Sequence, residues 1–255
     1  MSKDIAETIE FFAPPHGLDI SFYIDTPLPG DASEKQKRLR KQAIHHLARY
    51  HWACRVLEKS EPGTVLDVAC GGGYGSSLLA QRLLRHKVVG GDYDERAVFH
   101  ARSKYGGLPN LEFNTLDLET WTSADGRGNS EQFKYIVSFD TIEHILHRDV
   151  ALINMVENLT ADGMLIFSTP CKRNNILKPS WEHHKIEYSC EFLLNLLKRF
   201  FHDVLQPQDD GFPEIDFWNE TVNRGEVRYL LRANPLVCRR PIQFGLRASS
   251  ESNLK

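Results

Sequence analysis

The sequence predicts an α/β fold in which a parallel sheet carries helices on its faces. Three observations point there. Short β-rich runs alternate with segments of helical periodicity. The first of those runs enters a glycine loop, Gly71-Gly72-Gly73-Tyr74-Gly75, that opens a helix. The length of 255 residues, set against roughly 150 per domain, allows one large domain or a modest domain with additions.

Residues 1–42 form an N-terminal arm and the start of a helix. The arm is irregular at Pro14, Pro15, Gly17, Pro27, Pro29 and Gly30, then basic from Lys35 to Lys41. Phe11, Phe12, Phe22 and Tyr23 give it apolar surface with which to fold back as a lid over a cleft. From Lys41 to Lys59, Ile44, Leu47, Ala48, Trp52 and Val56 recur at helical spacing. Strands are expected at Thr64–Ala69, Lys87–Asp92, Leu111–Thr115, Tyr135–Phe139 and Met164–Ser168. Between the last two, Leu152, Met155, Val156 and Leu159 mark a helix with Asp149 placed to cap it. Ser189 caps another, with the stripe Leu193, Leu196, Leu197 and Phe200. A strand near Asp203–Gln206, an insertion near 207–235 and a final strand near Leu236–Arg239 complete a body of residues 43–245. Residues 246–255 are a polar tail.

Composition excludes several classes. Lys+Arg 31 against Asp+Glu 34 gives a net charge of −3, so nothing in the overall balance attracts a polyanion, and a nucleic-acid partner is disfavoured. No apolar run approaches the roughly 20 residues of a membrane span. The first ten residues carry Asp4, Glu7 and Glu10 and do not read as a secretory signal, which makes cytoplasm the expectation. Five cysteines, Cys54, Cys70, Cys171, Cys190 and Cys238, are scattered without a Cys-x-x-Cys pair, so neither a disulfide framework nor a structural zinc site is supported.

Glycines after a strand let backbone approach a ligand closely. As a dinucleotide fingerprint the loop is incomplete, since Ser76 stands where Gly or Ala belongs. Asp92 follows at the distance a ribose-binding acid requires. Asp67 discriminates further: a carboxylate at the strand end repels a pyrophosphate but attracts an α-amino group and a sulfonium. Adenosine joined to an amino acid therefore fits better than a dinucleotide.

Over residues 43–206 the chain resembles the class I S-adenosylmethionine-dependent methyltransferases. Asp67-Val-Ala-Cys-Gly71-Gly-Gly73-Tyr-Gly75 resembles their first motif, with Ala69 where Gly is usual. Val88-Val-Gly-Gly-Asp92-Tyr93 resembles the second, and Leu111 to Asp117-Leu118 the third; Tyr135–His144 and Asn158–Pro170 complete the series. The resemblance implies a Rossmann-like, doubly wound, seven-stranded sheet, mostly parallel with an antiparallel last strand. It further implies Asp67, Gly71, Gly73 and Leu118 around S-adenosyl-L-methionine, Asp92 on the ribose hydroxyls, Tyr93 against the adenine and Asp117 accepting from its amino group. The segment His45 to Ala53 resembles the N-terminal part of bacterial methyltransferases of glycan and natural-product assembly, which implies Arg49 facing the cofactor carboxylate.

For chemistry the informative cluster is Asp140-Thr-Ile-Glu143-His144. Spacings of i, i+3 and i+4 share one side of a helical turn, at the strand ends where open α/β sheets bind ligands. A second imidazole follows in Trp181-Glu-His183-His184-Lys-Ile-Glu187, and two carboxylates with two imidazoles suit one divalent ion, Mg²⁺ or Mn²⁺. Both segments resemble the acid-x-x-Glu-His motif and later His of quinone O-methyltransferases and terminal-ribose small-RNA methyltransferases. That resemblance implies a metal on Asp140, Glu143, His144 and His184; the metal-free alternative keeps His184 as a lone base. His16, His45, His46, His51, His86, His100 and His147 read as surface residues.

The first expectation is O-methylation of a small molecule such as a sugar, a glycan precursor or a natural product. The alternatives are a terminal-ribose RNA methyltransferase, for which Arg224, Arg228, Arg232, Arg239 and Arg240 supply some charge, and a cofactor-binding module that regulates a partner enzyme.

Overall fold

The computed structural model describes residues 29–122, 132–172, 174–179, 183–205 and 236–245. The lid residues Phe11, Phe12, Phe22 and Tyr23, the insertion, the polar tail and Arg224, Arg228 and Arg232 lie outside them.

Helix α1 spans Glu34–Leu57 and begins earlier than its apolar periodicity suggests. Ser33 Oγ accepts the Gln36 N–H at 3.3 Å while Gln36 Oε1 accepts the Ser33 N–H at 2.9 Å, a capping box that draws the basic run into the helix. The boundary expected at residue 42 therefore falls inside α1. Strand β1 (Thr64–Val68), helix α2 (Tyr74–Arg82), β2 (Lys87–Asp92), α3 (Glu95–Tyr105) and β3 (Leu111–Thr115) follow in alternation. Then come β4 (Phe133–Phe139), a 3-10 turn at Ile142–His144, α4 (Arg148–Glu157), β5 (Leu159–Ser168), α5 (Cys190–Leu197), β8 (Phe201–Leu205) and β9 (Leu236–Pro241). Between β5 and α5, the short strands β6 (Cys171–Lys172) and β7 (Tyr188–Ser189) pair with each other in a parallel ribbon that the sequence patterns do not announce.

The main sheet has seven strands in the order β3-β2-β1-β4-β5-β9-β8. All the pairings from β3 to β5 are parallel, and β9 runs antiparallel to both β5 and β8. Strand alternation divides the core. Leu66, Val68 and Ile136 pack with Leu152, Met155 and Val156 of α4 and Leu193 and Leu197 of α5. Val65, Val88 and Val137 pack on the other face with Trp52 and Ala53 of α1, Leu79 of α2 and Val98 of α3. Because β1 lies between β2 and β4, the crossovers on its two sides leave on opposite faces and open a crevice at the strand ends.

Two local expectations are corrected. Leu159 is the first residue of β5 and not the last turn of α4. Asp149 sits in the first turn of α4 but does not cap it; the N-cap is His147, without a side-chain bond, and Glu119 Oε1 accepts the N–H groups of Leu146 and His147 instead. The Ser189 cap is present, with its Oγ accepting the Phe192 N–H at 3.2 Å.

Candidate active site

The chain leaves β1 through left-handed residues, with φ of 53° at Ala69, 55° at Gly71 and 82° at Gly73. Gly73 is the N-cap of α2, and a Cβ there would stand 2.7 Å from Ala101 Cβ and 2.8 Å from the Phe113 ring. Gly75 is required for a different reason: a Cβ would fall 2.1 Å from Tyr50 Cζ, so the ring of Tyr50 on α1 seats directly on α2.

Asp67 sits behind this loop and not on the ligand side. It is fully buried, accepting from Tyr50 Oη at 3.0 Å and Ser76 Oγ at 2.6 Å. Burial pushes its carboxyl up to about 7 against the opposing pull of the two hydroxyls. The direct attraction expected between Asp67 and an amino group or sulfonium is therefore corrected: Asp67 fastens α1 and α2 to β1. The same contact explains Ser76, whose hydroxyl has a partner that Gly or Ala could not supply.

A cavity of about 430 Å³ opens at the ends of β1, β2 and β4. Gly71, Asp92, Tyr93, Asp117 and Leu118 line it together. Asp92 Oδ2 accepts the Gly71 N–H at 2.8 Å and Oδ1 the Asp94 N–H at 2.9 Å, which joins the end of β2 to the glycine loop. Burial raises its pKa above the usual carboxylate value. Tyr93 is 65% exposed at the rim, and Asp117 Oδ1 accepts the Glu119 N–H at 2.7 Å.

Past β4 the geometry departs from the sequence expectation. Asp140 has φ of 50°, so the backbone is not helical there and the i, i+3, i+4 spacing does not place it with Glu143 and His144. Its carboxylate instead receives Arg49 in a bidentate pair, Nη1 to Oδ1 at 2.9 Å and Nη2 to Oδ2 at 2.7 Å, with His46 Nε2 at 3.3 Å from Oδ2. Burial alone would raise this carboxyl; the Arg49 guanidinium and His46 outweigh it and hold the pKa below the ordinary value. Arg49 is thus buried and turned to Asp140, and Asp140 is not with the metal-type donors. His46 and His86 are buried, contrary to their reading as surface residues.

Glu143, His144 and His184 do converge, with one potential ligand atom from each lying within 4.8 Å of the others. Glu143 is fully buried and its Oε2 accepts from Thr169 Oγ1 at 2.7 Å. Lys185 N–H donates to the Glu143 carbonyl at 2.6 Å, which brings the later histidine segment alongside. His144 lines the cavity; its Nδ1 lies 3.2 Å from the His183 carbonyl, which can only accept, so the proton is on Nδ1 and the lone pair on Nε2. His184 Nδ1 likewise meets Glu187 Oε1 at 2.7 Å, and the two rings stand edge to face at 4.8 Å. Burial, with His184 beside it, pulls the His144 imidazole down to about 4 and keeps it neutral. Glu187, Glu119 and His46 were not among the expected site residues. Glu187 had a local signal, three residues after His184; the other two had none.

A sheet of this order, with a glycine loop after β1 and an acid ending β2 on one cavity, defines a Rossmann-like protein built for an adenosine-bearing cofactor. Residues 59–224 match the family model described as a methyltransferase domain, and the chain belongs to that family, within the class I S-adenosylmethionine-dependent methyltransferases. It is 31% identical over 116 residues to a probable S-adenosylmethionine-dependent methyltransferase of Mycobacterium tuberculosis, a stretch that is 46% of this chain and 39% of that protein. It is 28% identical over 105 residues to a malonyl-[acyl-carrier protein] O-methyltransferase of Acetivibrio thermocellus, covering 41% of this chain and 35% of the other. The chain thus matches less than half the length of these relatives. The N-methyltransferase NodS of Bradyrhizobium japonicum, solved with S-adenosyl-L-homocysteine, shares the fold at a TM-score of 0.51 and 15% identity, over 87% of this chain and 95% of NodS. Among the described residues no helix is long and apolar enough to cross a membrane.

Proposed function

We propose that the chain methylates an oxygen of a small molecule, a sugar, glycan precursor or natural product, in the cytoplasm. S-adenosylmethionine, when bound, supplies the electrophilic methyl group. The residues present suit it: the cavity is large enough, and a Cβ at Gly71 would meet nothing within 4 Å, so the loop backbone is open to a ligand. Asp92 keeps acceptor capacity for ribose hydroxyls beyond its two backbone bonds. Tyr93, Asp117 and Leu118 serve the adenine end, Gly71 lets the backbone approach, and Gly73 packs the loop against Ala101 and Phe113.

The carrying observation is the convergence of Glu143, His144 and His184, of which His144 lines the cavity. An acceptor hydroxyl must lose its proton, and an imidazole with its Nδ1–H held and its lone pair on Nε2 is prepared to take it. His144 is the imidazole on the wall, and His184, oriented through Nδ1 by the Glu187 carboxylate, stands behind it. A second reading has the same observation in its favour. One ring nitrogen from each of two imidazoles and a carboxylate oxygen gathered within 4.8 Å, with each Nδ1 facing an oxygen, form the pattern of a metal site with its orienting partners. With Asp140 held by Arg49, two nitrogens and one carboxylate favour Mn²⁺ over Mg²⁺. Such an ion would supply Lewis acidity toward the acceptor oxygen.

The test is transfer from labelled cofactor to hydroxylated small molecules, amines and RNA with a free terminal ribose, with and without exhaustive chelation and in His184→Ala and His144→Ala. We expect a hydroxylated small molecule to be the acceptor. Activity that survives chelation but not His184→Ala assigns the base; activity lost to chelation assigns the ion. Activity that survives chelation, His184→Ala and His144→Ala alike refutes proton removal by this cluster. Transfer to RNA or an amine refutes the acceptor class, and cofactor binding without any turnover supports a regulatory module.

A further inference from the structure

The loops that follow β3 and β4 are distant in sequence but stitched together at the cavity wall. Glu119 Oε1 accepts the N–H groups of Leu146 at 3.2 Å and His147 at 3.0 Å. Both stand just before α4, His147 as its N-cap, and a carboxylate at a helix N-terminus is favoured by the helix dipole. The turn that leads into α4 is thus held by another loop. A second stitch runs the opposite way: Asn154 Nδ2, on α4, donates to the carbonyls of Leu118 at 2.9 Å and Glu119 at 3.1 Å. The lending segment is itself a tight turn, with the Asp117 N–H donating to the Thr122 carbonyl at 3.1 Å and the Trp121 N–H to the Asp117 carbonyl at 2.8 Å. Asp117, Leu118 and Glu119 line the cavity on one side of this seam, and His144, Ile145 and Leu146 on the other.

We propose that Glu119 is a positioning residue that couples occupancy of the adenine end of the cavity to the placement of the 142–147 segment, and through it of His144. The inference rests on the assignment of the cofactor to this cavity. Glu119 grips N–H groups two and three residues beyond His144, so what fixes or shifts residues 117–119 is carried into the segment that bears the imidazole. The carboxylate need touch neither cofactor nor acceptor for this. Coupling of this kind is reciprocal: whatever orders the 142–147 segment tightens the adenine end by the same factor.

Amide hydrogen exchange of the whole chain, with and without S-adenosyl-L-homocysteine, tests it. In the unaltered protein the ligand slows exchange at Leu146 and His147. Glu119→Ala speeds their exchange without ligand by about tenfold, the order expected for lost hydrogen bonds, and removes the slowing while the ligand still binds. Glu119→Gln keeps an oxygen acceptor and restores the transmitted protection, which a merely space-filling role for the side chain would not require. Asn154→Ala cuts the opposite stitch with the Glu119 bonds left in place, and weakens transmission even if Glu119→Ala does not fold. Equal slowing in the unaltered protein, Glu119→Ala and Asn154→Ala overturns the coupling, as does ligand binding that leaves Leu146 and His147 unprotected. No binding of S-adenosyl-L-homocysteine to the unaltered protein would overturn the cofactor assignment itself, a result distinct from binding without transmission.

Discussion

Replacing Arg49 with Ala strips the bidentate partner from Asp140 at a place where water replaces it poorly, the two side chains being 5% and 15% exposed. Removing one partner of a buried pair costs about 3–5 kcal/mol. The residual access of Asp140 and the nearby His46 set the expectation at the lower end, about 3 kcal/mol. For a chain of this size that corresponds to a fall in Tm of roughly 6–12 °C. The pH dependence carries a sign. With Arg49 present the Asp140 carboxyl is held below its ordinary value, so the pair's contribution is complete above the unfolded-state pKa and is lost only as pH falls through the folded one. Without Arg49 the largest remaining influence is burial, which raises the carboxyl above its unfolded value. The damage is then greatest at pH 8 and shrinks toward pH 5, where the folded state takes up the proton. Urea unfolding of Arg49→Ala, Asp140→Asn and the double variant at both pH values measures this, and the double variant should be more stable than Arg49→Ala at pH 8. A loss below about 1 kcal/mol, the worth of an exposed pair, or one that is identical at both pH values, would refute the reasoning. Loss of S-adenosyl-L-homocysteine affinity by more than about tenfold at unaltered stability would instead put Arg49 on the cofactor carboxylate.

Asp92→Ala should weaken S-adenosyl-L-homocysteine binding by about 1.5–3 kcal/mol if a charged acceptor holds the ribose, and calorimetric titration reads this directly. Unchanged affinity would confine Asp92 to its bonds with the Gly71 and Asp94 N–H groups. Gly75→Ala forces a methyl group to within 2.1 Å of Tyr50 Cζ unless α1 and α2 separate, and should lower stability by about 1–3 kcal/mol in the denaturant midpoint. Combining it with Tyr50→Leu should cost less than the sum of the two changes; strict additivity would show that the ring does not rest on Gly75.

What was legible in the sequence was what local pattern encodes. The bounds of β2 and β3 follow from runs of residues that fit a pleated surface, and the glycine loop and Asp92 from spacing along one strand–turn–helix unit. The site past β4 was legible only in part, for two physical reasons. Helical spacing brings side chains together only on a helical backbone, and the left-handed Asp140 removes it from a group that its spacing includes. Pairings made by topology leave no periodic trace: Arg49 meets Asp140 across 91 residues and Glu119 meets His147 across 28. The strand order explains why such pairs gather here, since β1 stands between β2 and β4 and every loop at their ends faces the same crevice. Arg49 and Tyr50 are adjacent in α1, yet one holds the loop after β4 and the other, through Asp67, the strand that feeds the glycine loop. A helix whose first turns read as part of a loose arm therefore closes one wall of the cavity and fixes both halves of the crevice at once.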